Sequence, residues 1–125
     1  MAEANSGVTA SCHCGAVTLK AAAAPATLTQ CTCSICRRYG AQWAYYSLGD
    51  VQVAAEPDAL SAYVWGEREI EFLHCTRCGC LTHYESIKRD ADGRIAINGR
   101  MLAPEAAAGI PLRTFDGAKT WKYLD

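Results

Sequence analysis

The sequence has no excess of either charge. Twelve Lys and Arg stand against thirteen Asp and Glu, giving a net charge of -1 and a pI near 6.3. That balance excludes a strongly basic face, so neither nucleic acid nor anionic lipid is an expected partner. Long apolar runs are missing as well. The longest, residues 21–26, is interrupted by Pro25 and falls far short of the ~18–20 residues that a bilayer-crossing helix needs, so no membrane partner is expected. Residues 1–11 hold no basic stretch leading into an apolar one, which predicts no secretory leader and a soluble, cytoplasmic protein. There is no linker rich in Gly, Ser or Pro, no block of like charge and no long repeat period. The expected plan is a flexible N-terminus over residues 1–10 followed by one domain over residues 11–125.

Cysteine is what the chain has in quantity, at eight of 125 residues. Disulfides are rare in a reducing compartment, so these thiols are expected to bind metal or do chemistry.

Between the cysteines the pattern is one of short strands. Val17-Thr18-Leu19 and Val51-Gln52-Val53 alternate apolar and polar residues, and residues 43–48 and 61–65 are rich in aromatic and β-branched side chains. Glu67, Glu69 and Glu71 alternate with Arg68, Ile70 and Phe72, which on a strand places three carboxylates on one solvated face. Residues 81–85 and 94–97 read as two further strands joined through the turn signal Asp90-Ala91-Asp92-Gly93. Helix is confined to residues 104–108, with Pro104 in the first turn and Gly109 after the last, and to a single turn over residues 34–39. The predicted fold is mainly β, built of antiparallel sheets with little helix.

Three cysteine clusters punctuate these strands: Cys12-His13-Cys14-Gly15, Cys31-Thr32-Cys33-Ser34-Ile35-Cys36 and Cys75-Thr76-Arg77-Cys78-Gly79-Cys80. C-x-C and C-x-x-C spacings let both sulfurs of a pair reach one ion, and a following glycine permits the tight turn. Cys31, Cys33 and Cys36 can converge on one ion without help. Cys12 with Cys14 and Cys75 with Cys78 make two pairs, together a closed four-sulfur set that acts as a structural staple. Three ligands with an open position are the arrangement of a zinc that handles substrate. Three thiolates overcompensate the ion's charge, so such a site suits an incoming thiol better than a potent hydroxide. Disulfide pairing, or iron in place of zinc, would use the same sulfurs.

This order of C-x-C-G, C-x-C-x-x-C and C-x-x-C-G resembles the glutathione-dependent formaldehyde-activating enzyme (GFA) family, which includes centromere protein V. The words Asn98-Gly99-Arg100-Met101-Leu102 and Phe115-Asp116-Gly117-Ala118-Lys119-Thr120-Trp121 support the likeness. The resemblance implies a zinc-stapled, β-tent-like domain with two zinc ions per chain. It implies a structural zinc on Cys12, Cys14, Cys75 and Cys78 and a catalytic zinc on Cys31, Cys33 and Cys36. The implied activity is that of a carbon–sulfur lyase, S-hydroxymethylglutathione synthase-like, in which the thiolate of glutathione or a related thiol, held by zinc, adds to formaldehyde or a similar aldehyde. The contrasting reading is a zinc-stapled binding module without turnover. Cys80 stands where the family more often has Thr or Ser; it reads as a small buried side chain, a fourth ligand closing the second site, or a reactive thiol.

Other residues near the clusters carry less. Arg37 and Arg38 follow the three-cysteine cluster and are candidates to pair with substrate carboxylates, against a plain reading as surface arginines. His13, His74 and His83 are expected to be hydrogen-bonded histidines rather than ligands. Trp43, Tyr45 and Tyr46 are expected in the core, with a pocket wall as the other option. Arg100, Asp116 and Trp121 read as structural. No catalytic group beyond the metal ligands stands out.

Overall fold

A computed structural model describes residues 7–66, 68–89 and 93–125. The chain forms two sheets. The smaller has the order β1-β2-β5, from β1 (Val8–Ser11), β2 (Val17–Ala21) and β5 (Val51–Ala55), all antiparallel. The larger has the order β10-β3-β4-β9-β8-β7-β6. Its strands are β3 (Leu28–Cys31), β4 (Trp43–Ser47), β6 (Leu60–Tyr63), β7 (Ile70–Cys75), β8 (Leu81–Ser86), β9 (Arg94–Asn98) and β10 (Leu112–Phe115). Among the described residues helix is limited to α1 (Ser34–Tyr39), α2 (Pro104–Ala107) and 3₁₀ turns at Leu48–Asp50 and Gly99–Met101. The mainly β expectation therefore holds, and among the described residues no helix is long and apolar enough to cross a membrane.

Alternation explains how the layers assemble. In β2, Val17, Leu19 and Ala21 are buried, while Thr18 is half-buried and Lys20 exposed. The central strand β9 is buried on both faces beyond Arg94, and its residues divide between two cores. Ile95 and Ile97 join Val17, Leu19, Leu28 and Ala44 in a cluster drawn from both sheets. Ala96 turns the other way and joins Trp43, Phe72 and Tyr84 on the opposite face of the large sheet. In the ladder, Ala96 lies opposite both Tyr45 of β4 and Tyr84 of β8, and Tyr84 lies opposite Phe72 of β7. A small residue flanked by rings leaves a hollow on that face.

Several elements depart from the sequence reading. Residues 8–10, expected to be flexible, belong to β1, because Val8–Ser11 pairs along its whole length with β2. β7 begins at Ile70, so Glu69 precedes the strand and the expected three-carboxylate face does not form; Glu67 lies outside the described residues, as do residues 90–92 of the expected turn. Trp65 is likewise outside a strand, since β6 ends at Tyr63 and the chain turns through Gly66 and Arg68, both at positive φ. The large sheet is not wholly antiparallel. After β9 the chain runs through α2 to the far edge, where β10 pairs parallel to β3 from Leu112 opposite Leu28 to Phe115 opposite Cys31.

Candidate metal centres

The four-sulfur set is built by two hairpin turns of similar construction. In the β1–β2 turn, Cys12 N–H donates to Val17 O at 3.0 Å and Gly15 N–H to Cys12 O at 3.2 Å. In the β7–β8 turn, Cys75 N–H donates to Cys80 O at 2.9 Å and Gly79 N–H to Cys75 O at 2.8 Å. Gly15 and Gly79 occupy the left-handed region at φ 84° and 81°, which a side chain would strain. Each turn also aims a backbone donor at sulfur: Val17 N–H at Cys12 Sγ (3.3 Å) and Arg77 N–H at Cys75 Sγ (3.4 Å).

The result is that Cys12, Cys14, Cys75 and Cys78 place their sulfurs within 4.8 Å of one another. Cys12 and Cys14 sulfurs are 3.7 Å apart, and those of Cys14 and Cys75 are 3.6 Å apart. A zinc tetrahedron with Zn–S of about 2.3 Å has an edge of about 3.8 Å, so this donor set fits a four-coordinate ion. Bonded sulfurs sit about 2.05 Å apart, so these pairs are not disulfides, and all eight cysteines are free thiols in this structure.

Cys31, Cys33 and Cys36 form the second set, again with sulfurs within 4.8 Å. Cys31 ends β3, Cys33 is the N-cap of α1, and Cys36 lies in the helix, which closes at Gly40. Cys33 Sγ accepts from Cys36 N–H at 3.4 Å, and the buried Trp43 donates Nε1–H to Cys36 Sγ at 3.4 Å. A loop from the C-terminus lies on top. A Cβ built on Gly117 would stand 2.6 Å from Cys31 Sγ and 3.2 Å from Cys33 Cβ, so only glycine allows this approach. Asp116 holds the loop, accepting from Thr32 Oγ1 at 2.8 Å and from Thr120 N–H and Oγ1 at 3.2 and 2.9 Å, which keeps its carboxyl below the usual range.

Proton affinity is uneven within both sets. Cys31 is drawn down to about 5, chiefly by the Cys36 side chain, with Cys33 and Gly117 N–H groups adding to it against burial. Cys36 moves up, because Cys31 retains the shared proton on it and burial disfavours a second thiolate. Cys78 is drawn down to about 5 by the N–H groups of Cys80 and Cys14. Cys14 has a favourable Ala16 N–H, yet burial and the Cys75 and Cys12 sulfurs push it up to about 11. Each set thus pairs a sulfur of lowered proton affinity, Cys31 or Cys78, with one of raised affinity, Cys36 or Cys14, and cation binding favours loss of the proton from the latter.

The three-cysteine set opens into a cavity of about 420 Å³. Its floor includes Trp43, Phe72 and Tyr84, and Trp43 and Tyr84 pack edge to face at 4.9 Å between ring centroids. Tyr45, Trp65, Trp121 and Tyr123 stand at the exposed rim with Arg94, whose guanidinium lies 4.8 Å over the Tyr45 ring. No histidine lines this cavity among the described residues. An open coordination position would therefore face an aromatic chamber.

The structure places the other candidates as follows. Arg37 and Arg38 are exposed on α1 and do not line the cavity; Arg38 bonds Ser34 O of its own helix at 2.7 Å. Cys80 lies beside Cys78 and the His13 N–H, at the four-sulfur set but not among its four, so it does not close the three-cysteine set. Trp43 and Tyr45 line the cavity, whereas Tyr46 points to the other face and donates to Ala23 O at 2.7 Å. His74 bonds Tyr39 Oη at 3.0 Å, and buried His83 bridges Thr82 and Glu85. Arg94, Trp65 and Tyr123 were not expected at a site. The only hint in the sequence was the density of aromatic residues beside Gly117.

A family model described as glutathione-dependent formaldehyde-activating enzyme matches residues 7–110. The crystal structure of a Rhodobacter sphaeroides protein is similar at 30% identity and a TM-score of 0.66, covering 83% of this chain and 98% of that one. No curated protein matches the sequence. The loop carrying Gly117 and Trp121 lies beyond the matched residues.

Proposed function

This chain belongs to the glutathione-dependent formaldehyde-activating enzyme family, and from that premise we propose that it is a zinc-dependent carbon–sulfur lyase joining a thiol to a small aldehyde. The observation that carries the reading is the division of seven sulfurs. Four close on themselves, and three sit at the base of a cavity. Cys12, Cys14, Cys75 and Cys78 would hold a structural zinc, and Cys31, Cys33 and Cys36 a second one. Zinc at the second site would supply the positive charge that favours the thiolate of an incoming thiol.

The chain's own groups do the rest. Trp43 Nε1–H and Cys36 N–H fix the sulfurs they touch and hold their lone pairs in place. The aromatic floor of Trp43, Phe72 and Tyr84 offers water few partners, and a bound substrate that covers the rim would strengthen electrostatic interactions at the reacting sulfur. In the reaction one S–C bond forms and the carbonyl π pair moves to oxygen. The thiol gives up one proton and the oxygen takes one, so R–SH and an aldehyde become a hydroxyalkyl thioether without any oxidant.

Glutathione and formaldehyde are the pair implied by the family description. The test is the zinc content of purified protein, followed by thiol-dependent formaldehyde consumption read by NMR across a panel of thiols. Cys31→Ser should keep the circular dichroism spectrum, lose one equivalent of zinc and abolish turnover. A wild-type rate no faster than the uncatalysed addition for every thiol would overturn the proposal.

A further inference from the structure

We infer that the thiol accepted by this cavity is a flat, apolar molecule with a single carboxylate, and not a zwitterionic peptide such as glutathione. The inference rests on the thiol–aldehyde reading for the role of sulfur, and on the cavity alone for everything else.

Glutathione carries two carboxylates, one ammonium and two amides. A site built for it needs cations at two places, an acid for the ammonium and polar partners for the amides, because buried groups left unpaired are costly. Among the described residues the cavity offers a single ionised side chain apart from the cysteines, Arg94, and no carboxylate or carboxamide at all. Its remaining polar side-chain atoms belong to Tyr and Trp, and several are engaged: Trp43 Nε1 on Cys36 Sγ, Tyr123 Oη with Thr29 Oγ1 at 3.1 Å, and the Tyr84 hydroxyl with the Arg94 side chain. Arg37 and Arg38 do not line it. The volume of about 420 Å³ would admit a peptide of that size, so chemistry and not space decides.

What the walls do match is a ring. Trp43, Phe72 and Tyr84 form a buried aromatic floor, and Trp65 and Trp121 leave 43% and 70% of their surface open at the rim. Large rings held open to water around one cavity are what a ligand would cover. Trp121 also sits in the left-handed region at φ 60°, which a bulky side chain rarely adopts. Its N–H bonds Asp116 O at 2.7 Å and its ring meets Phe115 edge to face, so the surrounding loop keeps it at the mouth. Arg94 stacks on Tyr45 and its side chain also meets the Tyr84 hydroxyl, a neutral partner, while no described carboxylate lies within ion-pair distance of it. Its guanidinium fork suits one carboxylate.

All three tryptophans of the chain line this cavity, so intrinsic fluorescence reports on it directly. The zinc-loaded protein is titrated with 4-(mercaptomethyl)benzoate, with benzyl mercaptan and with glutathione. The aromatic acid should change the emission and bind at least about tenfold more tightly than glutathione. Arg94→Gln should weaken the acid about tenfold, the usual scale of a lost charge-assisted bond, and leave benzyl mercaptan within about twofold. Equal or tighter binding of glutathione, or an Arg94→Gln variant that treats the acid like wild type, would overturn the inference. Adduct formation with formaldehyde is followed in parallel. Preferential turnover of glutathione defeats the inference and leaves the thiol–aldehyde reading standing. Tight, Arg94-dependent binding of the acid with no adduct from any thiol does the reverse.

Discussion

Gly117→Ala is the sharpest single-atom test of how the three-cysteine set is held. The added Cβ would meet Cys31 Sγ at 2.6 Å and Cys33 Cβ at 3.2 Å. Ordinary non-bonded contacts are about 3.5–4.0 Å, so the sulfur or the loop must move by about 1 Å. The loop has little freedom, because Asp116 is tied to Thr32 and Thr120 on either side. Cys31 can retreat only by leaving Cys33 and Cys36. Overpacking of this kind costs about 1–3 kcal/mol, which corresponds to about 5- to 150-fold in the metal affinity of this set. Competition against a chromogenic chelator should show one weakened zinc and one unchanged. Gly109→Ala is the control, since its Cβ would meet nothing within 4 Å and its φ is ordinary. Two unchanged zinc affinities in Gly117→Ala would refute the claim that this backbone bears on Cys31.

Three further outcomes follow from the same geometry. Cys75→Ser should abolish cooperative thermal unfolding, because an apparent zinc-binding energy of about 10–16 kcal/mol rivals the whole stability of a small domain; a two-state melt near the wild-type midpoint would contradict this. Trp43→Phe removes the donor to Cys36 Sγ at the cavity floor and should weaken zinc at the three-cysteine set by about tenfold, read by the same chelator competition. The Glu85 carboxyl is held down at about 2 from 4.5, first by His83 and then by Arg89, against the cost of burial. A depressed acid stabilises fully above its unfolded value and loses that contribution as pH falls towards the folded one. Glu85→Gln should therefore lose up to about 3 kcal/mol in urea unfolding at pH 7, a deficit that shrinks below about pH 4.5.

Local spacing made the metal sets legible. Cys31, Cys33 and Cys36 fall within one strand end and one helical turn, so their convergence needs no tertiary information. The four-sulfur set was legible for a related reason: each pair sits in a hairpin turn closed by glycine, and two pairs complete one tetrahedron. The cavity was not legible. Its floor takes Trp43 from β4, Phe72 from β7 and Tyr84 from β8, which become neighbours only once β9 is laid between β4 and β8. Arg94 sits at the start of β9, where nothing local marks it. β1, β3 and β10 escaped because four-residue strands carry almost no periodicity, and the parallel pairing of β10 depends on a crossover to the far edge. Cys80 shows the limit of spacing from the other side. Counting alone left it free to be a small buried side chain, a fourth ligand of the three-cysteine set or a reactive thiol, and only the β7–β8 turn puts it beside Cys78.

The position of each set in the sheets bears on the proposal that one is stapled shut and the other left open. Cys12 and Cys14 belong to the β1–β2 turn of the small sheet, and Cys75 and Cys78 to the β7–β8 turn of the large one. An ion held by all four would therefore join the two sheets at the edge of their shared core, where Cys12 and Cys75 are themselves buried. Fixing that joint with sulfur leaves fewer demands on a core that includes five alanines. The three-cysteine set lies with Trp43, Phe72 and Tyr84 on the other face of the large sheet, and it joins β3, α1 and Trp43 of β4 to the loop above them. Nothing about the pairing of the sheets depends on it. That independence would let a fourth position on an ion there serve a ligand, because opening and closing the coordination would leave the other core untouched.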